Sequence, residues 1–189
     1  MSLLIDALGR NARERLHEIA ISDGRTDITW DSLQHQVTEL VNSLAHASCV
    51  AILLNNSPAW VVSDLAAIES GVTCVPIPPF FSAEQVSHSL ADAAVDTIIT
   101  DSPDRLIDPI PLASQARIKI AGQELWLLKT DSAANTRHEN ITKITYTSGT
   151  TGSPKGVPLS LDRIESVARA LCFAVEGKET DRARAILPL

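Results

Sequence analysis

Between residues 49 and 100 the chain alternates short apolar runs with longer segments of helical period, and that alternation most limits what it can fold into. The runs are 49–54 (CVAILL), 72–76 (VTCVP) and 95–100 (VDTIIT). Each is too short for a stable helix and bulky enough for a strand covered on both faces. Segment 57–70 opens on Ser57-Pro58, a capping residue followed by proline at the first helical position. It carries a stripe of Val61, Leu65 and Ile68 and stops at Gly71. Segment 82–94 opens on Ser82 and Gln85, spaced as a capping box, and is striped by Val86, Leu90 and Ala94. Strand–helix–strand at this spacing returns each strand parallel to the last. The predicted fold is therefore α/β, a mostly parallel doubly wound sheet with helices on both faces.

The flanks fit the same scheme. Residues 19–22 and 28–30 read as an extended pair about an Asp23-Gly24 turn. A helix follows, with Leu33, Val37, Leu40, Val41 and Leu44 on one face. Residues 101–123, with Pro103, Pro109 and Pro111, read as an irregular surface segment. Residues 124–129 and 141–147 read as strands on either side of the polar loop DSAANTRHEN, and Leu161, Ile164, Ala168, Leu171 and Val175 stripe a last helix.

The residues from Tyr146 onward, YTSGTTGSPKGV, carry the chemistry. Thr147, Ser148, Thr150 and Thr151 interleave with Gly149 and Gly152, and Lys155 follows. Glycines let the backbone approach a ligand, successive amides form an anion-binding concavity, and hydroxyls and a lysine add donors and charge. Together they describe a phosphate cradle rather than a flexible Gly/Ser linker. The spacing is not that of a P-loop NTPase, which needs four residues between its first glycine and Gly-Lys-Ser/Thr. Here Gly156-Val157-Pro158 after the lysine reads as extended, so the cradle joins two extended segments without a helix N-terminus.

The string resembles the phosphate-binding loop of the adenylate-forming superfamily: acyl-CoA synthetases, luciferase-like enzymes and peptide-synthetase adenylation domains. Supporting pattern comes from ITWDSL at 28–33 and from the stretch 55–90 (NNSPAWVVSDLAAIESGVTCVPIPPFFSAEQVSHSL). The resemblance covers residue 20 to the end. It implies the first part of the large N-terminal domain of an ATP-dependent carboxylic acid ligase, with 1–189 as a truncated AMP-binding domain. In that family a carboxylate attacks the α-phosphorus of Mg-ATP, pyrophosphate leaves, and a thiol, from CoA or a carrier protein, takes the acyl group. By motif match Thr147, Ser148, Gly149, Thr150, Thr151, Gly152 and Lys155 would hold the β- and γ-phosphates. Magnesium would come with the nucleotide. Residues 186–189 (ILPL) resemble the start of the family's next motif, so the catalytic residues are expected beyond Leu189 and the piece alone is expected to be inactive. A fatty or other aliphatic acid is the expected substrate.

The remaining features set limits. Sixteen basic against 23 acidic residues give a net charge of −7, which lacks the basic footprint of a nucleic-acid binder. An anionic ligand must therefore meet local positive potential. Cys49, Cys74 and Cys172 show no CxxC spacing and sit in apolar segments, as buried small hydrophobes do. His17, His35, His46, His88 and His138 form no metal-binding pattern. No secretory pattern opens the chain and no apolar run approaches the ~20 residues of a membrane span, so a cytoplasmic location is expected. Phe80, Phe81 and Trp60 read as packing residues. Arg10, Arg13 and Arg15 read as a solvated helix face, and His138 and Glu139 as loop residues without a catalytic partner. The alternative functions are a non-catalytic nucleotide-binding or interaction module that kept the cradle, and a small phosphate-handling enzyme complete at this length. If the chain is truncated, uncovered apolar surface in its C-terminal third should make it self-associate.

Overall fold

The computed structural model describes residues 2–106, 112–130, 138–147, 153–178 and 181–185. The expected elements appear in order: helix α1 (Leu3–Glu14), strands β1 (Ile19–Ser22) and β2 (Asp27–Thr29), α2 (Trp30–Ser43), β3 (Cys49–Leu53), α3 (Pro58–Ser70), β4 (Thr73–Pro76), α4 (Ala83–Asp92) and β5 (Thr97–Thr100). The strands β6 (Leu112–Ile120), β7 (Gln123–Thr130), β8 (Lys143–Thr147) and β9 (Lys155–Leu159) and the helix α5 (Leu161–Ala174) follow.

Local chemistry sets the helix ends. Ser57 Oγ accepts the Trp60 amide at 3.2 Å to cap α3. Gly71 closes that helix in the left-handed region, at φ 66°. In α4 the capping box is complete: Ser82 Oγ accepts from the Gln85 amide at 3.3 Å, and Gln85 Oε1 accepts from the Ser82 amide at 2.9 Å.

The main sheet has seven strands in the order β6-β7-β5-β3-β4-β8-β9. Its centre is parallel: β3 pairs in parallel with β4 and β5, and β4 with β8. Both margins are antiparallel, through the β5–β7, β6–β7 and β8–β9 pairs. Alternation along β3 builds a core on each face. Val50 and Ile52 join α1, α2 and α3 on one side, through residues such as Leu8, Val37, Leu40 and Val62. Cys49, Ala51 and Leu53 join Val86 and Leu90 of α4 on the other, with Val75, Ile144 and Tyr146. Helices thus cover both faces, as the doubly wound pattern requires.

Four details depart from the sequence reading. The stretch 101–123 is not irregular throughout, because its second half is strand β6, paired to β7 across an Ala121-Gly122 turn with φ of 53° and 77°. Two central residues of positive φ match the twist of a tight hairpin, and Gly122 tolerates it freely. Helix α3 buries Ala59, Val62, Ser63, Ala66 and Ala67, whereas Val61 and Leu65 of the expected stripe are only partly covered. The helix packs against α2 as well as lying over the sheet core, so its buried face is wide and lined with small side chains. Phe80 and Cys172 are exposed rather than buried.

Candidate functional site

Strand β8 is set in the sheet by its first residues. The Cys74 amide donates to the Thr142 carbonyl at 2.9 Å, and Thr73 Oγ1 donates to the Ile141 carbonyl at 2.8 Å. The register pairs Lys143 with Cys74, so β8 runs parallel to β4 and its end, Thr147, points to the carboxyl edge of the sheet. In open α/β sheets ligands bind outside that edge. Thr147 lies four residues beyond Lys143, whereas β4 ends at Pro76, two beyond Cys74. At about 3.3 Å per residue the end of β8 therefore projects past its parallel neighbour. Strand β9 returns antiparallel, with Thr147 opposite Lys155. Two of the expected cradle residues, the hydroxyl and the lysine, thus face each other across one hairpin, and both are exposed. Ser148, Gly149, Thr150, Thr151 and Gly152 lie outside the described residues.

The projecting hairpin rests on α4. Tyr146 Oη donates to Asp92 Oδ2 at 2.6 Å, and His88 Nε2 lies 3.1 Å from the Pro154 carbonyl oxygen. The Tyr146 ring packs over Gly156, its partner in the register. A Cβ on Gly156 would stand 2.9 Å from Ile144 Cγ2 and 3.1 Å from the ring, so glycine is required here by close approach and not by backbone conformation. Burial, reinforced by Asp92, pushes the Tyr146 hydroxyl above its ordinary value and keeps it a donor.

At its other end β8 is tied to α3 by a mostly buried ion pair, Lys143 Nζ to Asp64 at 2.8 Å, with Lys143 over the Trp60 ring at 5.5 Å. Trp60 is packing, as expected. Lys143 is thereby neutralised, whereas among the described residues the Lys155 side chain has no ion-pair or hydrogen-bond partner. The buried thiols are no candidate nucleophiles: burial pushes Cys49 up to about 12, and burial with the Asp64 charge pushes Cys74 well up. His138 Nε2 lies 2.9 Å from the Ala93 carbonyl, which explains it as a structural residue. Among the described residues no group of three or more His, Cys, Asp or Glu could hold a metal ion. Two cavities, of about 460 and 870 Å³, flank the β1–β2 turn and the start of α3, and neither is lined by Thr147 or Lys155. The two described residues of the expected cradle, Thr147 and Lys155, thus lie on an exposed hairpin end and not in either of these cavities.

The family model described as AMP-binding enzyme matches residues 8–189. Malpinin synthetase of Mortierella alpina is 32% identical over 182 residues, which cover 91% of this chain and 2% of that protein. Surfactin synthase subunit 1 of Bacillus subtilis (strain 168) is 28% identical over 179 residues, 91% of this chain and 5% of that one. Among solved structures, O-succinylbenzoate coenzyme A synthetase from Bacillus subtilis in complex with AMP superimposes with a TM-score of 0.70 at 21% identity, over 96% of this chain and 49% of that one. The Klebsiella oxytoca NpsA N-terminal subdomain in complex with 3-hydroxybenzoyl-AMSN gives 0.58 at 21% identity, over 85% and 41%. The chain thus spans about half of the first of these structures and a small share of the synthetases.

Proposed function

Because the chain belongs to the AMP-binding enzyme family, whose structural neighbours are adenylate-forming enzymes, we propose that it supplies the ATP phosphate-binding part of a cytoplasmic acid–thiol ligase, as the N-terminal part of that enzyme's large domain. In the proposed reaction a carboxylate oxygen attacks the α-phosphorus of ATP and the bond to the β-phosphate oxygen breaks. Pyrophosphate leaves, and a thiol of CoA or of a carrier protein then displaces AMP from the acyl carbon. The residues of this chain act on the departing end. Thr147 and Lys155, with Ser148, Gly149, Thr150, Thr151 and Gly152 between them, hold the β- and γ-phosphates and offset the charge that builds on pyrophosphate. A divalent ion, brought by the nucleotide, would neutralise part of the same charge. None of the relatives named above carries a fatty acid in its name, so an aliphatic substrate gains no support and the acid is proposed only as a carboxylic acid. By itself the chain is proposed to bind nucleotide without turning it over.

The single supporting observation is the pairing of Thr147 with an uncompensated Lys155 at the carboxyl end of β8, in a chain of net charge −7. Calorimetric titration with Mg-ATP and with magnesium pyrophosphate tests it. Lys155→Ala should weaken both by about ten- to a hundredfold, the loss of one charge-assisted hydrogen bond of about 1.5–3 kcal/mol. Thermal stability should hardly move, because the side chain is exposed. Unchanged affinity in a folded Lys155→Ala variant would overturn the reading.

A further inference from the structure

We propose that α4 positions the phosphate hairpin, with His88 and Asp92 fixing where Lys155 and Thr147 present their side chains. This rests on the phosphate-binding reading above and extends it to residues outside the loop. The hairpin needs such support, because β8 projects past the end of β4 and loses its parallel neighbour there. His88 and Asp92 are four residues apart on α4 and so share one helix face. Each grips one strand of the hairpin. Asp92 Oδ2 accepts from Tyr146 Oη at 2.6 Å, one residue before Thr147. His88 Nε2–H donates to the Pro154 carbonyl at 3.1 Å, one residue before Lys155. A carbonyl only accepts, so the contact selects the Nε2–H tautomer of a neutral imidazole and is equally made by the imidazolium.

The support is rigid in turn. The capping box fixes the start of α4, and Val86 and Leu90 are buried with Ile144 and Tyr146. The Tyr146 ring, wedged over Gly156, couples the two strands so that neither moves alone. His88 itself is exposed, so core packing does not account for its placement. His88 and Asp92 spend their contacts on Pro154 and Tyr146, so both act through Lys155 and Thr147 and are positioning residues. The gain is entropic: a flexible lysine on a fixed stem loses less freedom when it meets a phosphate than one on a loose stem.

The experiment uses the 189-residue chain and magnesium pyrophosphate as probe, on the wild type, His88→Ala and His88→Gln. Affinity, amide hydrogen exchange at residues 155–157 and the melting temperature are read together. His88→Ala should weaken pyrophosphate by about 3- to 10-fold and speed exchange at 155–157 by a similar factor. His88→Gln, whose side-chain amide can reach the same carbonyl, should recover most of both. Melting should shift by no more than about 2 °C. Wild-type affinity and exchange in His88→Ala would overturn the proposal, as would a glutamine variant no better than alanine or an affinity loss matched by a general loss of stability. Failure of the wild type to take up pyrophosphate at millimolar concentration would instead sink the phosphate-binding reading on which it rests.

Discussion

Lys155 and Gly156 are adjacent and do opposite things, one exposed for a ligand and the other emptied of side chain so that Tyr146 can lie flat across the hairpin. Gly156→Ala would place a methyl group 2.9 Å from Ile144 Cγ2 and 3.1 Å from the Tyr146 ring, and relief requires Ile144 to shift and the ring to give by a few tenths of an ångström. Overpacking of this kind costs about 1–3 kcal/mol. Urea unfolding of Gly156→Ala should show that loss together with weakened pyrophosphate binding, since the displaced ring loosens its hold on Asp92. A variant as stable as wild type would mean that the hairpin yields easily. That Thr147 and Lys155 would lie side by side was legible in the sequence, because 146–158 reads as two extended segments joined by a Gly-rich turn. The reason for Gly156 was not, because it appears only when the register sets Tyr146 opposite it. His88 and Asp92 were equally hidden: their partners lie 66 and 54 residues away along the chain, where periodicity and capping rules have no reach.

At the scale of elements, the strands and helices whose signals are local were readable: β3 from its run of apolar residues, α3 from Ser57, Pro58 and Gly71, and α4 from its capping box. Strand β6 was not, because it is an edge strand, mostly exposed, whose polar sequence and preceding prolines read as loop. Edge strands of this kind carry charge on purpose, here Arg117 and Lys119, which discourages pairing with another chain. Three strands of the sheet each bury an acid held above its ordinary value. Cys49 on β3 is pushed from 9.0 to about 12 by burial, with Asp96 adding to it. Cys74 on β4 and Tyr146 on β8 move in the same direction, burial being the first cause in both. In each case the folded chain binds the proton more tightly than the unfolded one. The stabilisation is therefore fully present below the unfolded values, 9.0 for the thiols and 10.0 for the phenol, and is lost as pH rises above them. Unfolding free energy measured in urea should be flat from pH 7 to about 9 and fall steadily above it. In Tyr146→Phe the fall between pH 10 and 12 should be shallower, because one of the three groups no longer titrates. An equal slope in the variant would show that Tyr146 ionises as readily in the folded chain as in the unfolded one.

At the scale of the molecule, the two core layers around β3 are closed and the apolar face of helix α5 is not covered. Helix α5 has no buried residue, although its apolar positions recur with helical spacing. Val167, Leu171, Phe173 and Val175 are each more than half exposed, and Phe173 is 88% exposed. What the helix does make is polar: Glu165 accepts from Ser2 Oγ at 2.9 Å and from the Leu3 amide at 2.7 Å, at the N-terminus of α1. A carboxylate at a helix N-terminus gains typically 0.3–1 kcal/mol, roughly what exposing one methylene costs, so it does not offset an uncovered apolar face. The helix has 14 residues, which at 1.5 Å each gives a length of about 21 Å; with a width of about 10 Å, its apolar side is a patch of a few hundred Å². A standard interface takes about 800 Å² from each partner, so pairing through this patch alone should be weak, with a midpoint of about 10 μM to 1 mM. Light scattering on the chain should therefore show an apparent mass that rises with concentration across that range. Val167→Glu combined with Leu171→Glu, four residues apart on one face of the helix, should abolish the rise and leave pyrophosphate binding intact, because neither residue lies on the hairpin or on α4. A wild type that stays monomeric throughout the range would show that this face tolerates water, and a double variant that still associates would move the contact elsewhere, with the edge strand β6 the next surface to test.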